Sequence, residues 1–572
     1  MKPLDWGVLC AWLLFIVCYG LWRGRGSRTV DSYLLAGKTM PWYAMGLSIM
    51  ATQAGAISFI STTGQAYADG MRFVQFYFGL PLAMVIIAAT AAPIFHRAKV
   101  YTAYEYLERR FDAKTRCLVS TVFLIERGLA AGVALYAPAV VLSVVLGWPD
   151  RLTTLIMGAL MILYTSLGGI KAVTWADVQQ MTVLFLALIL TLVIAIWLLP
   201  ANVSFRDALT VAGTAGRLTT VDTRFDWQNR YNLWSGLIGG LFLALAYFGT
   251  DQSQVQRYLT GRSIGQSRLS LVFMALTKIP MQLFILFIGA MVFALFTFLQ
   301  PPVLFNPSVL AQVRTSAEYP AIEQRYQAAF AERRAAAEQL IGQRRSASRQ
   351  QAIDNYKKAE AGFEAVRQDA EKLAGRVSGA TSFHDTNYIF LSFVTHYLPV
   401  GIVGLVIGVI FSAGMSSISG EINSLATVSV IDIYRRYFVR NASDRHYLVA
   451  SRLATVFWGC YAIAFASHGM NFGALIETVN MVGSLFYGSM LGVFVLAFGF
   501  KFVTGTAAFW GVLAGESAVV LFACFTEISY LWYNMVGCIV TIVFGLLISR
   551  FRRRSPEGAG GLDGLSHRAV AR

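Results

Sequence analysis

Apolar stretches of about 20 residues recur along most of this chain, and that is the length at which an α-helix crosses the hydrocarbon of a bilayer. About thirteen can be marked out, the first from Trp6 to Trp22 and the last ending near Arg550. A backbone in lipid must satisfy its own hydrogen bonds, which leaves helices or closed barrels, and barrel strands need only about 10 residues. The expected fold is therefore an all-α polytopic membrane protein with about 13 transmembrane helices. Composition agrees: 56% of the 572 residues are hydrophobic and 14% charged, far from an ordinary soluble domain. The first run follows only Lys2 and has no small-residue cleavage site behind it, so it reads as a retained span rather than a signal peptide.

The formal net charge is +16. In a soluble protein that would suggest nucleic acid. Here the basic residues gather in alternate loops: Arg23, Arg25, Arg28 and Lys38; Arg97, Lys99, Arg109, Arg110, Lys114 and Arg116; Arg257, Arg262 and Arg268; Arg435, Arg436, Arg440 and Arg445; and Arg550 to Arg554. The positive-inside rule puts these loops in the cytoplasm of a plasma membrane. The N-terminus is then outside and the C-terminus inside, which an odd number of spans requires. The lipid bilayer is the expected partner and nucleic acid is not. Five of the six cysteines lie in apolar runs and none has a CxxC mate, so no disulfide framework or zinc site is expected.

Polar groups inside the spans are the second constraint. In Phe411–Arg436 the residues Ser412, Ser416, Ser419, Asn423 and Thr427 recur at three and four, which makes one stripe of a helix. Ser417 and Glu421 sit beside it. Carboxylates and amides at membrane depth face a bundle interior or a wet path, although serine and glycine also simply let helices pack closely. The cluster is rich in oxygen and free of sulfur, the donor set of a hard cation such as Na⁺. Span two, from Pro41, carries Thr52, Gln53, Gly55 and Ser58 in mid-membrane, which points to local unwinding. Asp177 heads span six and reads either as a helix N-cap or as a cation ligand tucked into the bundle. Span seven turns polar at Gly249-Thr-Asp-Gln-Ser-Gln-Val-Gln-Arg-Tyr258. The two interruptions are five spans apart, and an odd offset inverts the second copy, as in an inverted repeat with its site at the breaks.

Organisation follows. Residues 1–40 are the first span and a basic loop, 41–199 the first repeat (spans two to six) and 200–231 an outside loop. Residues 232–311 and 381–500 form the second repeat (spans seven to eleven), 501–550 two peripheral spans, and 551–572 a disordered basic cytoplasmic tail. Between them, 312–380 is rich in Ala, Glu, Gln, Arg and Lys, with Ile353, Tyr356, Phe363, Val366, Ala370 and Leu373 near heptad spacing. It reads as an extramembrane helical hairpin that contacts an unknown protein or itself.

Gly37-Lys38-Thr39 lacks the upstream glycine of a phosphate loop, since position 32 is serine. The six histidines are scattered and no HExxH occurs, which argues against a membrane-embedded enzyme.

Four stretches resemble the sodium:solute symporter family: Ala51–Ser58; Gly168–Asp177; Asp251–Leu259 (DQSQVQRYL); and Ser412–Ser419 with Asn423-Ser424 and Asp432-Ile-Tyr434. The resemblance covers essentially the whole chain outside 312–380 and the tail. DQSQVQRYL looks most like the branch that carries monocarboxylates, vitamins and iodide, and TAYEYLERRFD is similar to bacterial sialic acid carriers. The resemblance implies a five-plus-five inverted-repeat, LeuT-like core with broken helices. It implies a main sodium site on the carbonyls of Ala51, Ala54 and Ala413 and the hydroxyls of Ser416 and Ser417. A second sodium or coupling carboxylate is implied at Asp177, with Glu421 an added candidate, so one or two Na⁺ ions and no organic cofactor. The substrate cavity would fall on Thr52, Gln53, Gly55 and Ser58, with Asp251 and Gln252 opposite and Phe73, Gln75 and Tyr77 from span three. Relatives usually have an amide at the Asp251 position, and the sialic acid carriers place a carboxylate-binding arginine about one turn from Arg127, which here stands beside Glu126.

The function implied is Na⁺-coupled import of a small polar organic solute (organic acid, sugar or sugar acid) by alternating access, with no enzymatic step. Two alternatives keep the fold: proton coupling through Glu421, Asp177 or Asp251, or a non-transporting sensor or channel.

Overall fold

The computed structural model describes residues 1–24, 29–343, 348–379, 383–468 and 475–554. Arg25 and Arg28, and the tail from residue 555 onward, lie outside the described residues. The long elements are helices: α1 (Pro3–Gly24), α2 (Trp42–Gln53), α3 (Ala56–Asp69), α4 (Leu80–Ala89), α5 (Ala91–Ala98), α6 (Ala103–Arg110), α7 (Ala113–Leu146) and α8 (Asp150–Trp197). After a connection over residues 198–239 come α9 (Gly240–Thr250), α10 (Gln252–Leu259) and α11 (Ile264–Phe298), then α12 (Tyr319–Gly342) and α13 (Arg349–Ser378). The chain closes with α14 (Ile389–Tyr397), α15 (Ile402–Val428), α16 (Asp444–His468), α17 (Leu475–Gly499), α18 (Gly505–Phe525) and α19 (Leu531–Arg554). Beyond α15 the helix continues in π geometry over Ser429–Phe438.

Among the described residues, ten helical stretches are long and apolar enough to cross a membrane, or eleven when the bent pair α2/α3 counts as one span. The figure of about thirteen read from the sequence also counts two further apolar pieces. One is Ser235–Thr250, too short alone for about 30 Å of hydrocarbon. The other is the half of α8 before Gly169, a separate helix that meets span six at a non-helical kink. Gly169 makes that bend at φ 63° and ψ 170°, a conformation that costs a residue with a Cβ.

Two breaks matter for function. α2 and α3 meet at 54° across Ala54-Gly55. A Cβ on Gly55 would fall 2.6 Å from Ser417 Oγ, so only glycine lets α15 approach the break this closely. α9 and α10 are separated by Asp251, whose backbone is extended and whose side chain caps α10 by accepting from Ser253 N at 2.8 Å. Both broken helices pack against α15, which is buried almost end to end.

α12 and α13 lie side by side around Tyr326, Phe330, Phe363, Val366, Ala370 and Leu373. Ile353, the first position of the heptad reading, is only partly buried. The pair is tied down at its base. Arg367 meets Asp385 at 2.8 Å, and Asp385 accepts from Phe305 N at 2.5 Å. Tyr326 donates to Pro301 O at 3.0 Å. Inside the hairpin, the Arg333 guanidinium lies 3.7 Å from the Phe363 ring centroid.

Candidate functional site

The serine stripe of α15 meets a partner from another helix at almost every step. Trp12 Nε1 donates to Ser412 Oγ at 3.0 Å, Thr165 Oγ1 lies 2.9 Å from Ser419 Oγ, and Gln256 Nε2 donates to Asn423 Oδ1 at 3.2 Å. The stripe therefore faces the bundle, not lipid.

The oxygens expected to hold sodium fall into two groups. The Ser417 hydroxyl donates within 3.0 Å of Ala413 O and 3.3 Å of Ala51 O. That brings the break of α2 and the middle of α15 onto one side chain. Ala54 caps the same turn, its N–H on Met50 O at 2.8 Å. Ser416 points elsewhere and donates to Asp177 Oδ1. The donor set is all oxygen, carbonyls and hydroxyls, and fits a hard monovalent cation.

Asp177 is not a helix N-cap. It lies within α8, eight residues past Gly169, and its Oδ2 accepts from Ser48 at 2.5 Å and Arg257 at 2.8 Å. The cation it meets is thus Arg257 of α10. Arg257, Ser48, Ser416 and Asp177 together tie α10, α2, α15 and α8 at one buried node.

A cavity of about 110 Å³ opens beside the breaks. Thr52, Gln53, Gly55, Ser58 and Tyr77 line it, as do Ser417 and Glu421. Phe73, Gln75, Asp251 and Gln252 do not. Gln75 is turned away, donating to Tyr231 O at 2.8 Å and accepting from Asp222 N at 3.0 Å. Its segment is a 3₁₀ turn, Met71–Tyr77, which presents Phe76 and Tyr77 to the cavity instead. Gln252 clamps the α5–α6 loop, donating to Tyr101 O at 2.9 Å and accepting from Ala103 N at 3.0 Å.

Asp251 is held by Arg127. The guanidinium pairs directly with Asp251 and bonds Tyr487, and Tyr487 donates to Asp251 at 3.0 Å. Arg127 also reaches Glu421 at 3.4 Å and Glu126 at 3.5 Å, and stacks 5.3 Å from the Tyr247 ring centroid. The sequence pairs Arg127 with Glu126; the structure makes Asp251 its main partner and puts the arginine in the cavity wall. Glu421 belongs to this cluster rather than to the serine pair.

Lys278 of α11 is a functional candidate that the sequence reading passed over. It is fully buried, its Nζ 3.3 Å from Gln53 O and 4.7 Å from the Tyr77 ring centroid, and it has no acidic partner among the described residues. A lone lysine inside a 35-residue apolar helix was the available signal.

Comparison with known proteins bears on the same elements. The sodium:solute symporter family model matches residues 33–323 and 369–515. The rabbit (Oryctolagus cuniculus) sodium-dependent multivitamin transporter is 27% identical over 517 residues, spanning 90% of this chain and 69% of that protein. The sodium/sialic acid symporter NanT of Aliivibrio fischeri is 24% identical over 552 residues, 95% of this chain and 92% of that one. Among solved structures, a substrate-bound, outward-open Na⁺-coupled sialic acid symporter superposes with a TM-score of 0.73 at 22% identity, covering 96% of this chain and 98% of its own. The chain is a multi-pass membrane transporter, not an enzyme, and belongs to the sodium:solute symporter family.

Proposed function

We propose that the protein imports a small organic acid together with Na⁺, the ion binding on Ser417 and the carbonyls of Ala51, Ala54 and Ala413, with Ser416 joining when its hydroxyl turns from Asp177. The single observation that supports this most is the Ser417 hydroxyl bridging Ala51 O and Ala413 O. A cation there would tie α15 to the break in α2 and shape the adjoining cavity, so that ion and solute favour each other's binding. Each Na⁺ that moves inward contributes about 2.3 kcal/mol per 100 mV of membrane potential. One ion suffices for accumulation. A second at Asp177 would first require Arg257 to let go.

The relatives carry sialic acid or vitamins by name. For this chain an acid is favoured over a neutral sugar by Arg127 in the cavity wall, once Asp251 releases it, and by Lys278, buried behind the wall against Gln53 O and the Tyr77 ring. The Gln53 amide can donate to the acid's remaining oxygens, while Thr52 and Ser58, whose hydroxyls donate to Ser48 O and Gln53 O, can accept from its hydroxyl groups. The basic loops are read as cytoplasmic, with the N-terminus outside the plasma membrane.

Uptake into proteoliposomes under an inward Na⁺ gradient, with K⁺ as control, tests this. The panel would hold short monocarboxylates, sialic acid, sugars and amino acids. Na⁺-dependent accumulation of an acid, lost in Ser417→Ala, is the expected result. Accumulation driven equally by a proton gradient without Na⁺ would sink the sodium assignment. That second reading draws on one observation: Arg127 alone faces three buried carboxylates, Glu126, Asp251 and Glu421.

A further inference from the structure

We propose that a basic hollow between α6, the start of α7 and the π-helical end of span nine binds the phosphate of an anionic phospholipid. The inference rests on the orientation proposed above, which makes this face cytoplasmic.

The hollow has a volume of about 330 Å³, and Arg116, Arg435, Arg436 and Arg440 line it. Two of these are already matched. Arg116 meets Asp432 at 2.5 Å and Glu108 at 2.6 Å, and Arg436 meets Glu108 at 2.5 Å. Glu105, the acid in the wall, is matched by Arg109 at 2.7 Å. Arg435 and Arg440 are left over. The Arg435 guanidinium lies 5.2 Å from the Tyr447 ring centroid, and Arg440 donates Nε to Arg436 O at 3.2 Å. Neither has a carboxylate among the described residues. Two surplus guanidiniums converging on one recess suit a phosphate, which accepts paired N–H donors.

Position decides what kind of phosphate. The span Ile402–Phe438 has 37 residues, well beyond the roughly 20 that hydrocarbon requires. Its π-helical end therefore lies at headgroup level. Phe438 is 73% exposed and Tyr437 46% exposed beside the arginines. Exposed aromatic rings next to basic groups are anchors at the membrane–water boundary. A soluble phosphate would gain nothing from Phe438, whereas a phospholipid meets both the arginines and the ring. Basic pockets at the inner leaflet attract anionic headgroups.

The test is native mass spectrometry of the full-length protein purified from vesicles of phosphatidylcholine mixed with phosphatidylglycerol. The expected result is selective retention of phosphatidylglycerol. It should fall roughly 30-fold in R435Q/R440Q, the scale of two basic groups at an anionic surface, while that variant keeps its melting temperature. Equal retention of both lipids, or unchanged retention in the double variant, overturns the proposal. So does an equal loss in R97Q/K99Q, which would reveal only general surface charge. Displacement of the lipid by inorganic phosphate alone would mark a soluble anion as the ligand and overturn the lipid assignment.

Discussion

Arg127 of α7 and Asp251, at the break between α9 and α10, form a direct ion pair with neither side chain appreciably exposed. The pair holds the break of span seven to span four and withdraws Arg127's charge from the cavity. Arg127→Gln would strand Asp251, Glu126 and Glu421 without a counter-ion, a loss on the order of 3–5 kcal/mol for a buried pair. The expected outcome is a lower melting temperature and no uptake.

Asp251→Asn should act in the opposite sense on affinity. The amide oxygen can still cap Ser253 N, so the break survives, and Arg127 is freed toward the solute. The expected result is a KM for a carboxylate lower by about tenfold, near 1.4 kcal/mol, with KM for a neutral solute unchanged. A KM that rises for both would show that the pair is needed intact.

At the sodium site, Ser417→Ala removes the hydroxyl shared between Ala51 O and Ala413 O. The Na⁺ concentration for half-maximal uptake should rise about tenfold or more, the scale of one hydrogen bond or ligand to a charged group. Gly55→Ala should have a similar effect by steric means, since its Cβ would lie 2.6 Å from Ser417 Oγ. Sodium titrations of uptake check both.

What could be read before the structure follows from physical range. The serine stripe was legible because helical periodicity is local, and all its members lie within one element. The two breaks were legible because glycine and amides in an apolar run have few other uses. Arg127–Asp251 was not, since 124 residues separate the partners and only the packing of both α7 and α10 on α15 brings them together. The cavity list split for a related reason. Residues around a break change face with each backbone turn, so Tyr77 points in while Gln75 and Gln252 anchor neighbouring backbone. Asp177 carried two readings because a carboxylate near a helix start looks the same whether it caps or pairs; the bend at Gly169 settles where that start is.

Lys278 gives a prediction that separates charge from packing. Lys278→Met keeps most of the side-chain volume and removes the ammonium beside Gln53 O. Uptake of an acid should fall at least tenfold with Na⁺ affinity little changed, and Lys278→Arg should restore part of it. Equal loss of acid and neutral solutes in Lys278→Met would assign the lysine to the architecture of the α2 break instead.

The α12–α13 hairpin should respond to pH through Glu371. Burial first, and the Asp385 charge second, push this carboxyl from 4.5 up to about 7, against Arg367, which pulls it down. The folded state thus holds a proton that an undocked hairpin releases near pH 4.5. Between those two values the undocked state binds fewer protons, so docking weakens as pH rises. A tenfold difference in proton affinity between the two states is worth about 1.4 kcal/mol. With the side chain 22% exposed, a net change on the order of 1–2 kcal/mol is expected. Proteolysis of the hairpin in membrane vesicles, compared at about pH 5.5 and about pH 8 and normalised to an unstructured peptide, should be faster at the higher pH. Glu371→Gln, which cannot ionise, should abolish the difference. A hairpin more readily cut at the lower pH would mean that the Arg367–Asp385 pair, rather than Glu371, controls docking.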